Sequence, residues 1–197
     1  MDIPLSRRKQ IENLKRLIDD NYMSLNPLEA MAQQTQLLHL STAARFISGW
    51  VLGDTISSAV FAEVYAPDIV WFDHFFQLHL VGTAAVDQLR QRWCGAMDER
   101  SIEVVKLLST AEGVVVQLIN KGVFTRDMLP KRKATGKKYA CHACYVLKIN
   151  AEGLVERVDE YQTMAFDDGV EIEEYSKRDG GPVMDAERPP QFSVIAE

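Results

Sequence analysis

Residues 136–163, "GKKYACHACYVLKINAEGLVERVDEYQT", decide the fold class, because they contain two strand-like runs joined by a short turn. The two runs cover 138–149 and 154–164 and are rich in β-branched and aromatic residues. The connecting "NAEG" at 150–153 is typical of a hairpin. The stretch therefore predicts two antiparallel neighbours at the end of a strand meander.

Alternation divides the first of these strands into two faces. The odd positions of 139–149 are the more apolar set, so Tyr145 is predicted to point inward and His142 outward. His142 then lies at a subunit interface if the strand is regular, and in the pocket as a catalytic base if the strand bulges. Cys141 and Cys144 have a C-x2-C spacing but point to opposite faces, so the spacing does not predict a metal site.

Upstream, helical spacing of apolar residues alternates with strand-like runs. Gly53 ends the second helix, Asp54 is a good N-cap for the third, and Ile56, Val60 and Val64 are expected to face inward. The predicted helices cover residues 5–22, about 28–51, 54–66 and 82–97, and the predicted strands cover 68–75, 102–109, 113–125, 138–149 and 154–164. This order predicts an α+β fold, a curved antiparallel sheet wrapped as a cone around a long helix, with a pocket at the open mouth.

We expect three segments: an N-terminal helical extension at 1–27, the α+β domain at 28–165, and an acidic tail or lid at 166–197. The 197 residues are 47% hydrophobic, enough for one buried core. The net charge of −6 argues against a nucleic-acid partner. No apolar run has the length of a membrane span, and three cysteines without a secretion signal predict a cytoplasmic protein with reduced thiols.

Three stretches carry a family resemblance: "GDTISSAVFAEVYAPDIVWFDH", "HLVGTAAVDQL" and "TGKKYACHACYVLKINAEGLVERVDEYQ". In order and spacing they resemble the nuclear-transport-factor-2-like superfamily, and within it the SnoaL-like polyketide cyclases and their fungal biosynthetic relatives. The resemblance covers residues 40–164 and implies the cone-shaped fold. That fold hosts isomerases, cyclases, dehydratases, epoxide hydrolases and non-catalytic binding modules, so it does not fix the reaction.

The resemblance also implies site residues. Asp73 falls where the ketosteroid isomerases keep their proton-shuttling aspartate, and Glu160 falls where limonene-epoxide-hydrolase-like members keep a pocket aspartate. Tyr145 stands where the ketosteroid isomerases place a second, protonated acid. The full isomerase constellation is therefore absent, and a steroid isomerase does not follow.

General acid–base chemistry is the favoured hypothesis, because an apolar cone raises the pKa of a carboxyl group towards neutrality. The candidate catalytic residues are Asp73, Glu160, His79, His142 and Tyr145. Asp73 could instead bond only to the loop after its strand. Glu160 could be paired inside with Tyr145 or His79, or lie exposed in a solvated ladder.

The candidate substrate-binding residues are mostly aromatic, which suits a polycyclic or terpenoid substrate. Asn120 is the expected substrate-orienting amide. The full set is Trp50, Tyr65, Trp71, Trp93, Asn120 and Phe124.

These observations predict a cofactor-independent isomerase or cyclase acting on a polyketide or meroterpenoid intermediate of secondary metabolism. The substrate class is implied by the resemblance. A dehydratase of the scytalone type and a non-catalytic binding module of the same fold are the alternatives. A homodimer formed through the sheet is expected, with no membrane partner.

Overall fold

The computed structural model describes residues 5–22, 30–128 and 133–165. The helices are α1 (Leu5–Tyr22), α2 (Ala30–Leu52), α3 (Ser58–Ala62) and α4 (Thr83–Ala96), with a 3₁₀ turn at Gly53–Thr55. The strands are β1 (Tyr65–Asp73), β2 (Leu78–Val81), β3 (Met97–Ser109), β4 (Gly113–Phe124), β5 (Lys138–Ile149) and β6 (Val155–Ala165). The predicted tail at 166–197 and the predicted junction near residue 27 lie outside the described residues. None of the described helices is both long and apolar enough to cross a membrane.

The strands form one curved, unclosed sheet in the order β2-β1-β6-β5-β4-β3. The predicted α+β class is therefore confirmed. All neighbours are antiparallel except β1 and β6, which run parallel, so the expectation of an antiparallel sheet is wrong at this one pair. β1 and β6 are separated along the chain by most of the domain. They are not joined by a hairpin turn, which would force them to run antiparallel.

Helix α2 lies against the concave face of the sheet and supplies its core. The ring of Phe46 contacts those of Tyr65, Trp71 and Tyr145, with centroids 6.0, 5.8 and 5.7 Å apart. This side chain therefore joins the helix to β1 and β5 at once. The inward stripe of α2 is completed by Leu40, Ala43, Ile47 and Val51, all at most 5% exposed.

Three arginines cap the C-terminal end of α2. The guanidinium of Arg7 donates to the Leu52 carbonyl, that of Arg90 to the Gly53 carbonyl, and that of Arg100 to the Trp50 carbonyl at 3.4 Å. These bonds satisfy carbonyls that have no partner within the helix. Because the arginines come from α1, α4 and β3, the cap also ties those elements to the end of α2.

The third helix differs from its prediction. The 3₁₀ turn takes residues 53–55, and the cap of α3 is Ser57 instead of Asp54, with the Ser57 hydroxyl accepting from the Val60 amide at 3.3 Å. This shifts the helical phase, so that Val60 is 53% exposed while Val64 is buried. Asp54 accepts hydrogen bonds from Arg7 and Arg100 instead.

The chain between the predicted strand at 68–75 and the predicted helix at 82–97 contains the edge strand β2, Leu78–Val81, which was not predicted. Gln77 adopts a positive φ of 54°, which turns the chain tightly enough for β2 to return along β1. With only four residues, β2 is too short for its alternation to predict a strand.

The register of β4 against β5 depends on the absence of a side chain at Gly113. A Cβ atom there would lie 1.9 Å from the backbone oxygen of Leu147. We therefore expect Gly113→Ala to lower the free energy of unfolding by at least ~2 kcal/mol, measured by urea denaturation. Gly95→Ala is the matched control, because a Cβ at that exposed position of α4 meets nothing within 4 Å. Equal stability of the two variants would contradict this account.

Candidate active site

A cavity lies between α2 and the concave face of the sheet. It encloses about 790 Å³ free of protein atoms, including its open mouth. Its walls are largely aromatic and aliphatic: Phe46, Ile47, Trp50, Trp71, Phe76, Leu78, Leu89, Trp93, Ile102, Leu118 and Met128. The other nine lining residues are polar and all belong to the sheet: Asp73, Arg100, Ser101, Asn120, Lys121, Tyr139, Tyr145, Glu160 and Gln162.

Two carboxyl groups stand side by side in this cavity. Asp73 ends β1 and is paired in register with Glu160 on the parallel strand β6, so both side chains project from the same face. Asp73 is 3% exposed and Glu160 is 6% exposed, and both line the cavity. In an apolar site the charge of one carboxylate disfavours ionisation of its neighbour, and here the charge of Asp73 raises the pKa of Glu160.

Glu160 is the member of the pair that holds a proton at neutral pH. Burial is the largest cause and the charge of Asp73 the second, and together they raise the pKa of Glu160 to about 8. Hydrogen bonds from Tyr145 and Trp71 act in the opposite direction but do not outweigh them. An acid with this pKa can donate and recover a proton near neutral pH.

The partners of Glu160 indicate which oxygen carries the proton. The indole Nε1 of Trp71 donates to Oε2 at 3.0 Å, and indole nitrogen is a donor only. The proton of neutral Glu160 therefore belongs on Oε1, which lies 2.9 Å from the Tyr145 hydroxyl. With Oε1 protonated, that hydroxyl can accept from Glu160 and turn its own hydrogen into the cavity. Burial and the neighbouring carboxyl raise the pKa of Tyr145 well above its ordinary value, so it stays a donor.

The two carboxylate oxygens of Asp73 accept different numbers of hydrogen bonds. Its Oδ1 accepts from the backbone amides of Phe75 and Phe76 at 3.0 and 2.9 Å, which is the loop-bonding interpretation. Among the described residues, its Oδ2 contacts the Gln162 amide alone, at 3.4 Å. The loop bonds thus fix the carboxylate while Oδ2 remains the more available oxygen. Of the two phenylalanines in this loop, Phe75 is 43% exposed and Phe76 lines the cavity.

Gln162 was not among the predicted site residues, although it lines the cavity. It lies two positions after Glu160 on the same face of β6, and its Nε2 is 3.5 and 3.4 Å from the two oxygens of Asp73. Its Oε1 accepts from the Cys141 thiol at 2.8 Å, which fixes the orientation of the amide. The sequence signal that could have identified Gln162 was its position two residues after Glu160, because alternation places both side chains on the same face of β6.

The histidines are placed differently from the catalytic hypothesis. β5 runs in continuous register with β4 past His142, without a bulge, so His142 lies on the outer face of the sheet. His79 is exposed and stacks on Phe72, a residue of the outer face, with ring centroids 4.6 Å apart. The outward position of His142 therefore agrees with the alternation of β5, whereas its bulged alternative as a catalytic base and the catalytic position of His79 do not agree with the structure. Neither His39 nor His74 lines the cavity, so all four histidines of the chain lie outside it.

Four of the six predicted substrate-binding residues line the cavity: Trp50, Trp71, Trp93 and Asn120. Tyr65 and Phe124 do not. Tyr65 is buried behind the wall, where its hydroxyl accepts from the Trp50 indole at 3.2 Å, and Phe124 is buried at the end of β4. Both are core residues. An inward position on a strand buries a side chain, but it does not by itself place that side chain on the wall of the cavity.

Within the described ranges, no group of three or more histidine, cysteine or acidic side chains could hold a metal ion. Cys141 is buried on the inner face and Cys144 lies half-buried on the outer face. Their separation follows from the alternation of the strand.

Comparison with known proteins agrees with this architecture. Residues 43–158, more than half of the chain, match the SnoaL-like domain model. A candidate SnoaL-like polyketide cyclase from Jannaschia sp. CCS1 superposes with a TM-score of 0.58 at 14% identity, covering 71% of this chain and 90% of that one. One from Shewanella denitrificans OS-217 gives a TM-score of 0.55 at 13% identity, covering 64% and 90%. AclR, a candidate hydroxylase from Streptomyces galilaeus, gives 0.52 at 14% identity, covering 64% and 79%.

No curated protein matches the chain. The structural likenesses show a shared fold, and the domain match shows the family. The chain belongs to the SnoaL-like domain family, as its sequence predicted.

The Trp71–Glu160 hydrogen bond makes the ionisation of Glu160 observable without a substrate. We expect one of the three indole N–H signals in a ¹H–¹⁵N spectrum to titrate with a midpoint near pH 8, because the bond strengthens when the carboxylate forms. Asp73→Asn should lower that midpoint, since it removes the neighbouring charge. Trp71→Phe assigns the signal. A Trp71 signal that is constant across the neutral range would contradict a titrating Glu160.

The same shift predicts how stability depends on pH. The folded protein keeps a proton on Glu160 between pH 4.5 and about 8, whereas the unfolded chain has released it. Stability is therefore greatest below this window and falls as pH rises through it. We expect Glu160→Gln to flatten this part of a melting-temperature profile, whereas Glu103→Gln, at an exposed site on β3, should leave it unchanged. Parallel profiles for wild type and Glu160→Gln would refute the assignment.

Proposed function

We propose that this protein is an isomerase or cyclase that acts on a polyketide-type carbonyl compound by general acid–base catalysis, without a cofactor. The observation that carries the proposal is the carboxyl pair: Asp73 with an available oxygen beside a neutral Glu160, in an open aromatic cavity. A base and an acid with separated protonation states are what proton abstraction next to a carbonyl requires. Membership of the SnoaL-like family supports the same reaction class.

The first step assigned to Asp73 is removal of a proton from the carbon next to a carbonyl. The C–H bond breaks, its electron pair moves into the new C=C bond, and the carbonyl oxygen becomes an oxyanion. The Tyr145 hydroxyl, supported by the Oε1 proton of Glu160, donates to that oxygen. Gln162 stays beside Asp73 while its carboxylate gains the proton.

The enolate then has two outcomes that use the same residues. In isomerisation, the proton on Asp73 returns to a different carbon and the carbonyl re-forms. In ring closure, the enolate carbon attacks a second carbonyl carbon of the same substrate while the first carbonyl re-forms, and the new alkoxide takes the proton that Asp73 had removed. Neither outcome changes the oxidation state, so no redox partner is required.

The dehydratase alternative is less well supported. A scytalone-type site pairs histidines with tyrosines and an aspartate, and none of the four histidines of this chain lines the cavity. A non-catalytic binding module also explains the site less well, because binding alone does not require two adjacent buried carboxyl groups, which are costly to maintain.

The substrate proposed is a flat, largely apolar polyketide, and a meroterpenoid is the second class. The three tryptophans on the cavity wall support this choice, because aromatic rings pack well on flat ring systems. The homodimer formed through the outer sheet face, the cytoplasmic location and the three-segment division at 1–27, 28–165 and 166–197 remain predictions. Light scattering in solution tests the homodimer.

Turnover of the acid–base variants tests the function. We expect Asp73→Asn and Glu160→Gln each to lower turnover of β-dicarbonyl polyketides at least ~10²-fold, because each removes one proton-transfer group. Ring closure is followed by chromatography and proton abstraction by deuterium uptake from D₂O. In wild type, kcat/KM should fall above pH about 8, where Glu160 loses its proton.

His79→Ala and His142→Ala are the matched controls, since both side chains lie on the outer face. Both should keep wild-type turnover. Full turnover in Asp73→Asn and in Glu160→Gln would remove the proposed mechanism.

A further inference from the structure

Asn120 is a buried polar residue that the proposed reaction does not use. It lies on the inner face of β4, is 7% exposed and lines the cavity. Its amide forms no hydrogen bond within the described parts of the chain, yet it is not among the polar atoms sealed from solvent without a partner. The amide is therefore open to the cavity, where a ligand or water must satisfy it.

Two further polar residues line the cavity near Asn120: Ser101 on β3 and Lys121 on β4. They pair with each other, one position along from the pair formed by Ile102 and Asn120. By alternation their side chains leave the face on which Asn120 lies, so Asn120 is the polar side chain of the inner face at this level. Its amide offers both a donor and an acceptor to a ligand group.

Asn120 is distant from the carboxyl pair. Tyr145 pairs with Val116 across β5 and β4, and Asn120 lies four positions further along β4. At ~3.3 Å per residue, Asn120 is about 13 Å along the strand from the level of Tyr145 and Glu160. Between the two levels the wall contains Leu118 and Gln162, and the Gln162 amide oxygen already accepts from the Cys141 thiol.

Two cations line the same end of the cavity, Arg100 and Lys121. The guanidinium of Arg100 is paired with Asp54 at 3.0 Å and bonded to the Trp50 carbonyl as part of the cap of α2. Lys121 follows Asn120 on β4 and therefore projects from the opposite face of the strand. The group on the inner face is the uncharged amide of Asn120, which suits a carbonyl or hydroxyl oxygen.

We propose that Asn120 forms a second binding subsite, which holds a carbonyl or hydroxyl oxygen at the end of a rigid polycyclic substrate opposite to the reacting carbonyl. This rests on the proposed function in placing the reacting end at Tyr145 and Glu160. The cavity thus selects substrates by length, because both oxygens are satisfied only when the ring system spans the distance between the two levels. Substrates with one oxygen leave a buried polar group without a partner.

The experiment measures binding of three rigid four-ring probes: estrone, which has a phenol and a ketone at opposite ends, and its two analogues lacking one oxygen each. All three tryptophans line the cavity, so quenching of their fluorescence reports binding. We expect each oxygen to strengthen wild-type binding by about 3- to 10-fold in Kd. Asn120→Leu should abolish the contribution of one oxygen, and Tyr145→Phe should abolish that of the other.

Two controls separate the subsite from folding defects. Gln117→Leu changes an exposed amide on the outer face of the same strand and should leave both contributions intact. Asn120→Leu should melt at or above the wild-type temperature, because the amide it removes has no partner among the described residues. A lower melting temperature would instead indicate a structural role for Asn120 and overturn the proposal.

Three further results would also overturn it: Asn120→Leu affecting neither oxygen, Asn120→Leu affecting the same oxygen as Tyr145→Phe, or no binding of any probe to the wild-type protein. The proposed function is tested separately by turnover. If Asp73→Asn and Glu160→Gln keep full turnover while the two oxygens still bind at separate sites, the reaction is wrong and the subsite stands. If those variants lose turnover while Asn120→Leu binds all probes as the wild-type protein does, the proposed reaction stands and the subsite at Asn120 is wrong.

Discussion

The parallel pairing of β1 with β6 is the constraint on which the site depends. It brings Asp73, from the first strand of the sheet, into register with Glu160, from the last. An antiparallel hairpin could not join these strands, because most of the domain lies between them. The intervening helices and strands then form the apolar cavity that keeps Glu160 protonated, so the carboxyl pair is a product of the complete fold.

The aromatic core supports this pair directly. Trp71 lies in β1 two residues before Asp73, packs on Phe46 of α2 and donates to Glu160. Tyr145 also packs on both rings and contacts the other oxygen of Glu160. The side chains that fill the core therefore also orient the carboxyl group, and its position is set by packing that cannot shift without cost. This is the rigidity that a preorganised oxyanion site needs.

The sequence predicted the placement of side chains best in strands that have one uniformly apolar face. In β5 every inner residue is buried, so alternation alone placed Tyr145 inward and excluded a shared site for Cys141 and Cys144. In β6 alternation was ambiguous, because Glu160 and Gln162 occupy inner positions where a purely structural strand would carry apolar residues. Glu160 and Gln162, the polar residues that interrupt the apolar pattern of β6, both line the cavity. His79 and Tyr65 were misplaced because the strand β2 is too short to recognise and because burial does not distinguish core from cavity wall.

Asn120 and Glu160 share a thermodynamic property that separates them from the rest of the inner face. Both are polar groups in an apolar cavity, and each would be replaced by a hydrocarbon side chain if stability alone shaped the site. Glu160 is partly compensated by Trp71 and Tyr145, whereas the Asn120 amide has no compensation within the described residues. A ligand that bonds to both would recover free energy that folding leaves unrealised. If Asn120 holds a distal oxygen as proposed, the cavity binds a molecule with oxygens at both ends more tightly than its apolar area implies, and this is the source of selectivity that the proposal assigns to an otherwise nonspecific aromatic cavity.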